Sequence, residues 1–358
     1  MRDLVDCIAH IRGKPPFGFT STIAGGKTVE VREVAVDRTP FCTLRRFVRP
    51  NGESDPTVLI VAPLSGHYAT LMRDAVAGLL PDHDVHVTDW HDARDVPEDA
   101  GDFGFDDNIG AVVRCIRRLG PRTHVIAVCQ AAQPTLAATA LMAAAGEAEQ
   151  PRSLVLMGGL IDPRINPTRI GRMATRLPLA RFEAMVITRV PAGYAGAGRR
   201  IYPRHAHRAA LVTYLARRLE FRPGTGAEVR VRGDPTLADP AFCREFLTIM
   251  DLPAELFLEN LRLVFKEHVL ARGALTCAGQ KVEPSAIART ALMTVEGELD
   301  DASGLGQTRI AHNLCPNIPA DRRAHYEEPG IGHFGMYAGR HWRESVLPKV
   351  RAFIRDQT

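Results

Sequence analysis

An α/β architecture, with a mostly parallel, doubly wound sheet and a helical cap insertion, is predicted by three features of this 358-residue chain. From about residue 57, continuous apolar runs alternate with amphipathic helical stretches. That rhythm stops near residue 162 and resumes near 290. The loops expected after successive strands collect a thiol, two acids and a histidine.

The elements follow in order. The first 50 residues hold two candidate edge strands, "KTVEVREVAV" (27–36) and "FCTLRRFV" (41–48). "TVLIVAP" (57–63) is apolar throughout, as a strand covered on both faces should be. "DVHVTDW" (84–90) is a second such strand. "FDDNIGAVVRCIRRLG" (105–120) puts Ile109, Val112, Val113 and Ile116 on one helical face and ends at Gly120. "THVIAV" (123–128) is a third strand, followed by the helix "QPTLAATALMAAAG" (133–146). "RSLVLMGG" (152–159) is a fourth. Residues 162–285 then read as helix and loop, with an irregular Gly/Pro/Arg-rich stretch at 191–208 and a long amphipathic helix at 254–273. Strands return at 290–297 and 322–327, and a helix over 340–356 closes the chain. The expected division is therefore an N-terminal segment (1–50), a core (51–161 and 286–358) and a cap or lid (162–285).

Bulk composition excludes several classes. Apolar residues make up 45% and charged residues 24%, ordinary for a soluble globular protein. A net charge of +4 is too mild for a nucleic-acid binder. The arginine excess at 164–232 reads as a solvated face. "MRDLVDCIAHIRGKPPFGF" carries charges through its apolar part, so no secretory leader is expected. No window approaches the ~20 apolar residues of a membrane span. The seven cysteines (7, 42, 115, 129, 243, 277 and 315) include no Cys-x-x-Cys. Reduced thiols in a cytoplasm fit better than a disulfide framework or a zinc site.

Ligands of open α/β sheets bind beyond the carboxyl ends of the strands. There the sequence places "PLSGHYATL" (63–71), Cys129, "EGELDDASG" (296–304) and "PGIGHFGMYAGR" (329–340). Cys, Asp and His in this chain order match the triad of the α/β-hydrolase fold, with Cys for Ser. Cys129 ends a strand where a helix begins, so a sharp turn would present its thiol, and the helix dipole would favour the thiolate. Ala127 and Ala131 occupy the glycine positions of the usual nucleophile box. His333, between Gly332 and Gly335, sits in a turn expected to be flexible enough to reach the thiol. Asp300 is expected to fix its tautomer, with Asp301 as the alternative acid or the cap of a helix near Ala302. The backbone N–H groups of Gln130 and Leu64 are the expected oxyanion hole. His67 would support that loop or cap the next helix. Ser65 is on the wrong strand for an elbow. His205-x-His207 has metal-like spacing without a third ligand nearby, and no metal is expected.

These residues resemble the intracellular poly(3-hydroxyalkanoate) depolymerases, α/β-hydrolase enzymes with a cysteine nucleophile. The resemblance runs from about residue 38 to the end. It is carried by "PFCTLRRF" (40–47), "VLIVAPLSGHYATLMRDAVAGLLPDHDVHVTDWHDARDVP" (58–97), "VIAVCQ" (125–130), "LVLMGGLIDPRINPT" (154–168), "VPAGYAGAGRRIYP" (190–203), "TVEGELDDASGLGQT" (294–308) and "PGIGHFGMYAGRHWRE" (329–344). The family's nucleophile falls on Cys129, its histidine on His333 and its acid best on Asp300. Ala131 stands where the family usually has Pro, and the N-terminal region is shorter than usual.

The resemblance implies a cytoplasmic esterase of stored polyester or its oligomers, without metal or organic cofactor. Its expected partners are the polymer, its oligomers and the storage-granule surface. Exposed apolar groups on the cap would fit granule attachment or a homo-oligomer interface. A polyester synthase using 3-hydroxyacyl-CoA is the nearest alternative, but its box is normally Gly-x-Cys-x-Gly and its chains are longer. A catalytically silent granule protein is a further alternative.

Overall fold

The computed structural model describes residues 13–222, 228–231 and 233–357. Cys7 and the start of the stretch weighed as a leader lie outside them. Eight strands form the central sheet: β1 (Arg32–Arg38), β2 (Cys42–Val48), β3 (Thr57–Val61), β4 (Asp84–Trp90), β5 (His124–Val128), β6 (Ser153–Met157), β7 (Ala291–Gly297) and β8 (Arg323–Glu328). Their spatial order is β8-β7-β6-β5-β3-β4-β2-β1. β2 is antiparallel to both neighbours, and every other pair from β4 across to β8 is parallel. From β3 the chain crosses to β4 on one side, then to β5 on the other. The switch point between β3 and β5 is where such sheets hold ligands.

Burial explains the sequence pattern. β4, β5, β6 and β7 are buried along their whole length, because helices cover both faces. Helix α1 (Phe105–Leu119) buries Ile109, Val112, Val113 and Ile116 as the periodicity requires, and ends at Gly120 with φ +85°. Helix α2 (Ala132–Ala144), directly behind the β5 turn, buries ten of its residues around nearly all sides, so a one-sided apolar stripe is absent. The 27–36 run divides at buried Val31: Lys27–Glu30 pairs with Ser21–Ala24 in a hairpin, while β1 forms the sheet edge. A register shift between Ala35 and Asp37, with charges along β1, protects that edge.

Between β6 and β7 the chain leaves the sheet. This insertion is less purely helical than its sequence suggests. A small three-stranded ribbon joins Thr188–Arg189, Arg200–Tyr202 and Leu252–Pro253. The stretch expected to be irregular at 191–208 contains one of these strands and the start of helix α3 (Arg204–Ala216). The stretch is also pinned to the core. Gly196 N–H donates to Arg94 O at 2.8 Å, and buried Arg199 donates to the carbonyls of Val96, Pro97 and Gly101. The helix expected over 254–273 is short: α4 (Ala254–Glu259) passes into a π-helix at Asn260–Lys266, and His268 has φ +52°.

A buried ion cluster ties the insertion to the core. Asp251 is fully buried and accepts from Arg94 at 2.6 Å and from the Arg204 backbone N–H at 2.7 Å. Asp92, just beyond β4, accepts from Tyr68 Oη at 2.8 Å and from the Arg204 guanidinium. Removing one partner of a buried pair strands the other charges. Asp251→Ala is therefore expected to lower unfolding free energy by about 3 kcal/mol, measured by urea titration beside the wild type. A change below about 1 kcal/mol would contradict that role for the cluster.

Candidate active site

β5 delivers Cys129 to the switch point. The residue has φ +56°, a left-handed conformation in which non-glycine residues are uncommon. The chain turns at once into a short 3₁₀ segment, Cys129–Ala131, and then α2. The turn fits because its surroundings are small. A Cβ on Gly159 would stand 2.3 Å from the Ala132 Cβ, and one on Gly158 would stand 2.9 Å from His333 Cε1. Cys129 remains half-buried rather than sealed. A strained turn from strand to helix that leaves its side chain partly accessible is the mechanical form of a nucleophile elbow.

His333 follows β8. Its Nδ1 lies 2.7 Å from Asp300 Oδ2, and both side chains are almost wholly buried. The other carboxylate oxygen, Oδ1, accepts from the backbone N–H of Ala302 at 2.8 Å and of Ser303 at 2.9 Å. The acid is thereby locked, with one oxygen left for the imidazole. In the neutral ring, Nδ1–H donates to Asp300 and the lone pair falls on buried Nε2, which makes no hydrogen bond of ordinary geometry. Burial alone would lower the His333 pKa. The Asp300 carboxylate, and after it the Cys129 thiol, outweigh burial and raise it well above the ordinary value.

Asp301 is placed differently. It accepts from Tyr214 Oη at 3.0 Å and pairs with Arg218 of the insertion. It does not cap a helix near Ala302; Asp300 caps that turn instead. The flanking glycines also serve another purpose than flexibility. A Cβ on Gly332 would meet Asp234 at 2.9 Å, and one on Gly335 would meet Ile331 at 3.2 Å. They permit close packing around a held loop.

The acid loop is clamped from below by Glu296, near the end of β7. Its buried carboxylate accepts from the N–H groups of Gly306, Thr308 and Arg309 at 2.9, 2.7 and 3.0 Å. Sequence reading passed over Glu296, although a carboxylate inside the apolar run "TALMTVEG" was a usable signal. It also passed over Asp234 of the insertion, whose Oδ2 accepts from the N–H of Phe334 at 2.7 Å and of Gly335 at 3.3 Å. No local pattern marks a partner a hundred residues away.

The expected oxyanion donors are adjacent, but one is engaged. Leu64 N–H donates to the Gln130 side-chain Oε1 at 2.9 Å. Gln130 Nε2 donates to Asn260 Oδ1 at 3.3 Å, and Asn260 Nδ2 to Leu256 O at 2.8 Å. A polar chain thus runs from the β3 loop past the elbow to the π-helix of the insertion. π-Helical turns often mark functional positions.

His67 caps nothing, since the next turn starts after Tyr68 without a side-chain cap. Its buried ring stacks on Phe246 at 5.2 Å, and burial, then His207 and His333, push its pKa to about 3. It is a neutral group in the wall of the site. His207 lies over Gly66, whose Cβ would meet its Nδ1 at 2.2 Å, whereas His205 is exposed. Ser65 follows Leu64 on the β3 loop and is not part of the turn after β5. The wall continues as an aromatic cluster: Phe334 packs edge-on against Phe246 at 5.0 Å and against Tyr214 at 6.5 Å.

A family model described as "PHB de-polymerase C-terminus" matches residues 158–358, more than half of the chain. The chain belongs to the PHB depolymerase family. The matched part of this family member contains Asp300 and His333, while Cys129 precedes it. Solved structures place its fold among the α/β hydrolases. They include an epoxide hydrolase from Vigna radiata (TM-score 0.52, 15% identity, covering 92% of this chain and 98% of that one). A thermophilic esterase from Thermogutta terrifontis gives 0.50 and 12%, covering 95% and 97%. A 2-hydroxy-6-oxo-6-phenylhexa-2,4-dienoate hydrolase from Rhodococcus sp. strain RHA1 gives 0.50 and 14%, covering 92% and 100%. At these identities the likeness is one of fold. No curated protein matches significantly. By family, this PHB depolymerase relative is a hydrolase, and among its described residues no helix is long and apolar enough to cross a membrane.

Proposed function

We propose that the protein cleaves ester bonds of polyhydroxyalkanoate, as polymer or oligomer, with Cys129 as nucleophile, His333 as base and acid, and Asp300 as its orienting carboxylate. The observation that carries the reading is the buried 2.7 Å Asp300–His333 pair, with Cys129, on a positive-φ turn, acting on the same imidazole.

In this mechanism, His333 Nε2 takes the thiol proton as Sγ attacks the ester carbonyl carbon. The carbonyl π pair moves to oxygen, which is met by the Gln130 N–H and, once the Gln130 amide gives way, by Leu64 N–H. Collapse breaks the ester C–O bond, and His333 returns the proton to the departing 3-hydroxyl oxygen. A 3-hydroxyacyl thioester stays on Cys129. Water then loses a proton to His333, attacks the thioester and frees Sγ, which recovers that proton. Apolar units of the chain would pack on the Phe246–Phe334 wall. Exposed Ile170, Met173, Met185 and Tyr194 of the insertion support contact with an apolar granule surface, in a cytoplasm that stores such granules.

The test is product release from amorphous poly(3-hydroxybutyrate) and from its short oligomers. The expected outcome is 3-hydroxybutyrate or small oligomers from at least one substrate, with the polymer-to-oligomer ratio naming the preferred one. A folded wild type that releases nothing from either, yet turns over 3-hydroxyacyl-CoA, would replace hydrolysis with acyl transfer.

A further inference from the structure

Asp234 belongs to the insertion, far in sequence from the three residues assigned above, yet the residue is only 2% exposed. Oδ1 accepts from Thr236 N–H at 3.0 Å, closing a tight local turn. Oδ2 accepts from Phe334 and Gly335 N–H, the first donors after His333. The 3₁₀ turn Phe334–Met336 has no side-chain cap from its own N-cap residue, His333. The cap comes from Asp234. The approach is close enough that Gly332 can carry no Cβ: it would stand 2.9 Å from Asp234 Cβ, from Oδ2 and from Gly233 O. Thr236 closes on the far end of the same loop, 3.3 Å from a Cβ built on Gly339. The histidine loop is thus gripped at both ends by one short segment of the insertion.

We infer that Asp234 is a positioning residue, through which the insertion holds the His333 loop in its reactive register. This rests on the proposed role of His333. A loop carrying a base must be held to within a fraction of an ångström, because small misplacements are costly in rate. Asp300 fixes the ring from one side and Asp234 fixes the backbone that carries it. Burial raises the Asp234 carboxyl pKa against the pull of its backbone donors. Maintaining an acceptor there is therefore a stability cost, consistent with a role beyond packing.

The test is Asp234→Asn. One amide oxygen cannot serve both Thr236 and Phe334, and the NH₂ group opposes whichever N–H it faces. The full-length variant is compared with wild type on a soluble 3-hydroxybutyrate oligomer, together with the rate of Cys129 alkylation by iodoacetamide at one fixed pH, followed by peptide mass spectrometry. The expected result is a kcat loss of roughly a hundredfold with KM nearly unchanged. Cys129 alkylation should slow several-fold, because a displaced His333 no longer assists loss of the thiol proton. Should Asp234→Asn not fold, Asp234→Ser, a smaller neutral acceptor, carries the same comparison. Wild-type kcat and an unchanged alkylation rate, with only a lower melting temperature, would reduce Asp234 to a packing residue and overturn the inference, while an inactive Cys129→Ala would leave the proposed function standing. Turnover that survives Cys129→Ala would overturn the proposed function instead, and the Asp234 role with it.

Discussion

Cys129→Ala is expected to lower ester turnover by roughly 10⁴-fold or more, with the fold intact by circular dichroism. The loss is large because the thiol forms the covalent bond, and removing a nucleophile leaves only the oxyanion donors and binding. Cys129→Gly is an informative companion. The residue has φ +56°, where a side chain costs about 1–2 kcal/mol relative to glycine. The Gly variant should be equally inactive and about 1 kcal/mol more stable, read from urea unfolding of the two variants side by side. An inactive protein that gains stability would identify the turn as strained for function. A Gly variant less stable than Ala would show that the elbow carries no strain.

Asp300→Asn should lower kcat by about 10⁴-fold, and the geometry says why. Oδ1 receives two backbone N–H groups, at 2.8 and 2.9 Å. The variant's amide oxygen must stay there, which turns its NH₂ toward His333 Nδ1. That nitrogen then has to accept, the ring proton moves to Nε2, and the base faces Cys129 already protonated. Loss of the carboxylate also removes the charge that raises the His333 pKa against burial. Because that pKa is raised in the folded protein, the pair's stabilisation is fully present below the unfolded value of 6.5 and is lost as pH rises through the raised one. The variant should therefore lose stability relative to wild type chiefly at the acidic end of that window, with the gap closing at higher pH. Asp301→Asn, which touches Tyr214 and Arg218 instead, should keep kcat within about threefold. A larger kcat loss in Asp301→Asn than in Asp300→Asn would reverse the assignment of the acid.

Much of this site could be read in the chain because its order in sequence is its order along the sheet. Apolar runs such as 57–61 and 124–128 could only be strands covered on both faces, and the residues after them had to emerge at the carboxyl edge. The nature of Cys129, Asp300 and His333 did the rest. What escaped reading depends on contacts distant in sequence. Val31 interrupts the 27–36 run only because one half pairs backward to Ser21–Ala24 and the other forward to β2. The helix at 254–273 keeps its apolar period through Lys266, so nothing local announces the π-turn at Asn260. Asp234 and the Gln130–Asn260 chain are polar groups whose partners lie on other elements. Gly332 and Gly335 looked like hinges, since sequence alone does not distinguish a glycine kept for motion from one kept for close approach.

The central claim is that the Cys129 sulfur carries the acyl group. The most direct measurement is acid-quenched intact-mass and peptide mass spectrometry of the protein mixed with a 3-hydroxybutyrate oligomer, beside Cys129→Ala. The account predicts a transient adduct of 3-hydroxyacyl mass on the peptide containing Cys129, labile to hydroxylamine and missing in the variant. Turnover with no adduct on Cys129 at any quench time, and undiminished in Cys129→Ala, would contradict it.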